Sequence, residues 1–137
     1  MLPAPAQQMS SSARNPGGRV LVVDDSEPFV ALLDAFLTSE LACEVVSYGE
    51  GAGVVELARR LKPGLILLDL VLPDVHGHEV CRRLAEDPDT AGIPVVLMSG
   101  MSPGDGWQAR PNVLRFMAKP FQLGALADVV HHVLNVA

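Results

Sequence analysis

The sequence predicts an α/β fold, a doubly wound parallel sheet, from three observations. Five short apolar runs recur between residues 19 and 118, and segments with helical periodicity separate them. Four of the five runs end in a polar reactive group: Asp24-Asp25, Asp69, Ser99 and Lys119. An apolar run without polar alternation reads as a strand buried on both faces, as in a parallel sheet covered by helices. Strands that alternate with helices make βαβ units and a doubly wound sheet.

The chain of 137 residues is the size of one domain, and 49% hydrophobic content supplies a core. A net charge of -6 argues against nucleic-acid binding driven by phosphate contacts. No apolar run is long enough to predict membrane insertion. Residues 1–18 are rich in Pro, Ala, Gln, Ser and Gly and predict a disordered tail, without the basic-then-apolar pattern of a signal peptide; the domain is expected over 19–137. Cys43 and Cys81 match no zinc or redox spacing. They read as reduced, buried, small apolar residues, which makes a cytoplasmic protein the expectation.

Residues 19–23 (RVLVV) predict the first strand, which stops at Asp24-Asp25. Ser26 suits an N-cap and Pro28 a first helical turn. Phe29, Leu32, Leu33, Phe36 and Leu37 then form one apolar helical stripe. Residues 43–47 predict a second strand, and a helix is expected over 50–61, weakened at its start by Gly51 and Gly53. Lys62-Pro63-Gly64 turns the chain into the run Leu65–Leu68, followed by Asp69. A loop with Pro73, Asp74 and Gly77 leads to a helix over 78–86, closed by Asp87-Pro88. Residues 94–98 predict the fourth strand and 113–118 the fifth. Between them, Pro103, Gly104 and Gly106 leave room for only a turn of helix around 106–110. A last helix is expected over 122–135.

Taken alone, Asp69 reads as a helix cap or a solvated loop acid. Its company decides otherwise. In a doubly wound sheet the binding crevice lies outside the carboxyl ends of the strands, where Asp24, Asp25, Asp69, Ser99 and Lys119 all fall. Three crowded carboxylates repel, and a divalent cation relieves this; oxygen ligands and a phosphate substrate favour Mg²⁺. Lys119 and the Ser99 hydroxyl suit a phosphoryl group, and an aspartate can be a nucleophile that forms an acyl phosphate.

These residues, with LILLDLVLP around Asp69, VVLMSG around Ser99 and Lys119-Pro120-Phe121, resemble the receiver domain of two-component response regulators over about residues 19–135. The resemblance implies a flavodoxin-like five-stranded parallel sheet in the order 2-1-3-4-5, with about five helices, the fourth short or degenerate. It implies that Asp69 accepts a phosphoryl group from a phosphohistidine on a histidine kinase or histidine phosphotransfer protein. Asp25, Asp69 and the Val71 backbone carbonyl would bind Mg²⁺, with Asp24 acting mainly through water. Ser99 and Lys119 would each contact a phosphoryl oxygen, the Lys119–Pro120 bond would be cis, and Phe116 would turn inward as Ser99 moves. The changed surface would then reach an unknown downstream protein, or the phosphoryl group would be passed on. A signalling module is implied rather than a metabolic enzyme, with only weak self-phosphorylation and autodephosphorylation.

Several features depart from the family pattern. The short 101–111 segment suggests a single-domain or hybrid-kinase receiver and argues against dimerisation through a fourth helix. Trp107 there reads as a partner-binding anchor or as a lid over the sheet edge. His76, His78 and Cys81 form H-x-H-x₂-C, which reads as surface histidines rather than a metal site, and His131-His132 as a solvated helix face. Two other readings compete. A haloacid-dehalogenase-type phosphatase would carry D-x-D on the first strand, where this chain has Asp24-Asp25-Ser26. A phosphorylation-independent scaffold would lack some of the matching residues. No output domain is expected within the chain.

Val71 and Met101 lie two residues beyond Asp69 and Ser99, in positions that flank the phosphoryl group in the family. Both are apolar and neither can orient a water molecule, so self-dephosphorylation is expected to be slow. Met101→Glu or Met101→Gln should shorten the acyl-phosphate half-life, followed by intact mass over time; an unchanged half-life contradicts this role.

Overall fold

The computed structural model describes residues 18–134. The expected tail therefore lies outside the described residues, apart from Gly18. Five strands, β1 (Arg19–Val23), β2 (Glu44–Tyr48), β3 (Leu65–Asp69), β4 (Val95–Ser99) and β5 (Val113–Ala118), form one parallel sheet in the order β2-β1-β3-β4-β5. Three α-helices connect them, α1 (Glu27–Leu41), α2 (Val54–Leu61) and α3 (Gly77–Glu86), and a fourth, α4 (Leu123–Leu134), follows β5. In place of a helix between β4 and β5 there is a 3₁₀ turn, Trp107–Ala109, as the three helix breakers predict.

Strand alternation divides the core in two. Val20, Val22, Leu65, Leu67, Val96 and Met98 pack under Leu33 and Leu37 of α1 and Leu126 and Val130 of α4. Leu21, Val23, Ile66, Leu68, Val95 and Leu97 pack against α2 and α3 through Val54, Ala58, Val80, Cys81 and Leu84. β3 and β4 are buried at every position, as a central strand covered on both faces must be.

Other expectations need correction. Leu32 does not belong to the buried stripe of α1; it is 50% exposed. Burial instead follows Leu33, Leu37 and Leu41, with Phe29 and Phe36 partly covered, because a neighbour one residue along is turned by about 100°. The five strands are not all buried. β2 and β5 are the sheet edges and are largely half-exposed, β5 the more so because a single 3₁₀ turn replaces the helix before it. α2 begins at Val54 rather than 50. Gly53 holds a left-handed φ of 90°, and the Asp74 carboxylate accepts the Gly51 and Ala52 N–H groups at 2.7 and 2.9 Å, fixing this stretch as a turn. β2 and β4 each lie one residue later than expected, which brings Ser99 into the strand.

Two close approaches position the end of β3. The Gly77 N–H donates to the Leu70 carbonyl at 2.7 Å, and a Cβ on Gly77 would lie 2.5 Å from the Asp69 carbonyl oxygen. Only glycine lets α3 start so near the strand. The Lys119 N–H donates to the Ser99 carbonyl at 2.8 Å, which ties the end of β5 to the end of β4.

Candidate functional site

The parallel register brings the strand ends to one edge: Val23 pairs with Leu68, Asp69 with Met98, and Ser99 with Ala118. Asp24, Asp25, Asp69, Ser99 and Lys119 therefore meet across β1, β3, β4 and β5. Asp24, Asp25 and Asp69 each present a carboxylate oxygen within 4.8 Å of the others. Asp24 and Asp69 are only 3% and 6% exposed, whereas Asp25 faces solvent. A cleft of about 450 Å³ opens beside them, lined by Asp24, Asp25, Glu27, Tyr48 and Glu50 among others.

Lys119 compensates the buried charge. Its Nζ lies 2.6 Å from Asp24 Oδ2 and 3.5 Å from Asp69 Oδ2. In this state it belongs mainly to Asp24. The ammonium also lies 4.2 Å above the centre of the Phe29 ring, which meets Phe121 edge-on at 5.8 Å. Asp24 Oδ1 accepts the Ser26 N–H at 2.9 Å, so both oxygens of Asp24 are occupied. Ser26 does stand at the N-cap of α1, but its side chain makes no capping bond.

Asp69 Oδ1 accepts the Val71 N–H at 3.1 Å, which leaves Oδ2 facing Lys119. Burial lifts the Asp69 carboxyl above the ordinary aspartate range; the Val71 N–H opposes this, the Asp24 charge adds to it and Lys119 opposes it. The donor set suits a hard divalent cation: three carboxylates at mutual reach, one open to solvent, with a single lysine shared between the two buried acids.

Ser99 is buried and its hydroxyl accepts the Met101 N–H at 3.0 Å. Val71 and Met101 flank the site, 53% and 68% exposed. The Lys119–Pro120 peptide is cis. Phe116 pairs in register with Leu97, half-buried, and Trp107 covers it with the ring centres 6.1 Å apart. Trp107 is thus a half-buried lid on this edge. The H-x-H-x₂-C residues do not converge as ligands. Cys81 is buried against Asn112, while the His76 and His78 rings stack at 5.2 Å. His131 and His132 are exposed on α4.

Three contributors escape sequence reasoning. Phe29 reads as one more apolar helix position, yet it also seats Lys119. Asp74 reads as a loop acid, yet it braces the loop after β3 against the turn before α2. Buried Asn112 ties β5 to α3 by donating to the Cys81 carbonyl at 3.1 Å. No local pattern marks these pairs, because the partners lie 22 to 90 residues apart.

A 2-1-3-4-5 parallel sheet with three acids, a hydroxyl and a lysine at its carboxyl edge defines a signalling receiver. The family described as the response regulator receiver domain matches residues 20–131, and the chain belongs to it. It is 41% identical over 112 residues to the response regulator PleD of Caulobacter vibrioides, a match that covers 82% of this chain and 24% of PleD. The chain thus spans a quarter of that relative. It is 30% identical over 118 residues to the protein PilH of Pseudomonas aeruginosa, covering 85% of this chain and 97% of PilH. Among solved structures, the receiver domain of a signal transduction histidine kinase from Syntrophus aciditrophicus superposes with a TM-score of 0.75 at 29% identity, covering 86% of this chain and 90% of that one. The receiver domain of a sensor histidine kinase from Pseudomonas aeruginosa, solved with magnesium in its active-site cleft, shares the fold with a TM-score of 0.74 at 20% identity, covering 85% and 97%.

The raised Asp69 pKa has a consequence for stability without metal. Between the ordinary aspartate value and the raised one, the native state holds a proton that the unfolded chain has released. Stability therefore falls as pH rises through that window; the penalty is full above it and absent below it. Asp69→Asn should raise the Tm of the magnesium-free protein near neutral pH, and the gain should vanish below the ordinary carboxylate range. A lower Tm for the variant at neutral pH contradicts this.

Proposed function

We propose that this receiver domain is a phosphorylation-dependent switch in which Asp69 is the acceptor. The observation that carries the reading is the Asp69 carboxylate itself. It is buried among Asp24, Asp25 and Lys119, with one oxygen held by the Val71 N–H and the other turned toward the Lys119 ammonium.

In the transfer, Asp69 Oδ2 attacks the phosphorus of a phosphohistidine. The P–N bond breaks, its electron pair returns to the imidazole nitrogen, and the imidazole leaves with a proton from solvent. Asp25, Asp69 and the Val71 carbonyl would hold Mg²⁺, with Asp24 acting through water. The ion, when bound, supplies the positive charge that offsets the phosphoryl oxygens. Lys119, shared between Asp24 and Asp69, would pair with a phosphoryl oxygen once the Asp69 charge is masked. The Ser99 hydroxyl would exchange the Met101 N–H for the phosphoryl group, and Phe116 would follow it inward. The Trp107 lid lies on Phe116, so this movement alters the outer surface of β5.

The donor is a histidine kinase or a histidine phosphotransfer protein in the cytoplasm. The output is contact with a downstream protein or onward transfer of the phosphoryl group. The 3₁₀ turn between β4 and β5 favours a receiver that works alone or within a hybrid kinase over one that pairs through a fourth helix.

Incubation with acetyl phosphate and Mg²⁺ should add one phosphoryl mass to the intact protein. Asp69→Asn and treatment with EDTA should each abolish that addition. Addition that persists in Asp69→Asn, or none in the native sequence, contradicts the reading.

A further inference from the structure

Residues 100–106 (GMSPGDG) carry the chain from Ser99 to the 3₁₀ turn without regular structure. Two hydrogen bonds in this stretch are local: Met101 N–H to Ser99 Oγ at 3.0 Å, and Gly104 N–H to Ser102 Oγ at 3.2 Å. The Gly106 carbonyl accepts the Ala109 N–H of the 3₁₀ turn that follows; apart from that bond, the hydrogen bond among the described residues that ties the stretch to another element comes from His78. Its Nε2 lies 2.7 Å from the Pro103 carbonyl oxygen.

A carbonyl only accepts, so Nε2 carries the hydrogen in this bond. The His78 Nδ1 is buried and has no partner. The ring is held by its surroundings. It stacks on His76 at 5.2 Å with 16° between the planes, and His76 Nδ1 accepts the His78 N–H at 3.2 Å at the start of α3. A cleft of about 250 Å³ lies beside this bond, lined by Val71, His76, His78, Ser99, Met101 and Pro103 among others. A buried, unpaired nitrogen destabilises, so packing alone would favour an apolar side chain at this position.

We infer that His78 is a positioning residue: through Pro103 it tethers the 100–106 segment in the resting arrangement, in which the Ser99 hydroxyl is occupied by Met101. This rests on the proposed role of Asp69. When Ser99 gives up the Met101 N–H to reach the phosphoryl group, the segment that follows must shift, and the Pro103 tether opposes it. His78 thus sets how readily the switch turns over, without touching the reacting atoms.

Beryllofluoride with Mg²⁺ mimics the phosphoryl group, and Trp107, the chain's only tryptophan, sits on Phe116 as a fluorescent reporter. His78→Leu removes both the donor and the unpaired nitrogen. It should bind beryllofluoride about 2- to 10-fold more tightly, the range that one net hydrogen bond supplies. His78→Gln keeps a donor near the same place and should stay within about twofold of the native protein. Amide exchange at residues 101, 102 and 104–106, measured on the unmodified protein without metal, should quicken in His78→Leu, and its Tm should not fall. Unchanged amide exchange removes the tether whatever Asp69 does. Equal or weaker beryllofluoride binding in His78→Leu, or equal tightening in both variants, overturns the inference while leaving the acceptor role standing. A native protein that binds no beryllofluoride overturns the acceptor role, and the inference with it.

Discussion

Two carboxylates, Asp24 and Asp69, are buried at the end of a parallel sheet with one ammonium group, Lys119, between them. Desolvation makes each such charge unfavourable alone, and removing the shared cation would strand both. Much of the local structure serves this arrangement. The Ser26 and Val71 N–H groups each cap one carboxylate oxygen, and Phe29 lies beneath the ammonium. The acids remain one positive charge short. The proposed Mg²⁺ would offset that deficit and would leave the site able to take a phosphoryl group.

The sheet supplies the precision this requires. The register places the ends of β1, β3, β4 and β5 at one level, and the Gly77 approach to the Asp69 carbonyl fixes how α3 leaves the site. Asp74 then braces the loop between them against the turn before α2, and those backbone N–H groups hold its carboxyl below the ordinary aspartate range. On the other side the structure is looser. A 3₁₀ turn stands where a helix would cover β5, so Trp107 and Phe116 shield that edge as a pair and the segment after Ser99 relies on His78. Many ties around Asp69 and few after Ser99 suit the proposed switch, since a bound group moves most readily what is weakly held.

How much of this was legible in the sequence follows from the range of the forces. β1, β3 and β4 announce themselves because central strands are apolar on both faces, and their terminal acids and hydroxyl stand out against that background. The short turn at 107–109 follows from Pro103, Gly104 and Gly106. Edge exposure does not show in composition: β2 (EVVSY) and β5 (VLRFMA) read as apolar runs yet have a neighbour on one side only. Leu32 satisfies the helical spacing but lies beyond the contact line of α1. Partners distant in the chain, such as Phe29 with Lys119 or His78 with Pro103, become visible only when the fold brings them together.

Asp69, rather than its acidic neighbours Asp24 and Asp25, is the proposed nucleophile. Borohydride reduction traps an acyl phosphate by converting the modified aspartate to homoserine. After reaction with a small phosphodonor and Mg²⁺, peptide sequencing by mass spectrometry should place homoserine at position 69 alone. Homoserine at position 24 or 25, or none anywhere, would exclude Asp69 as the acceptor.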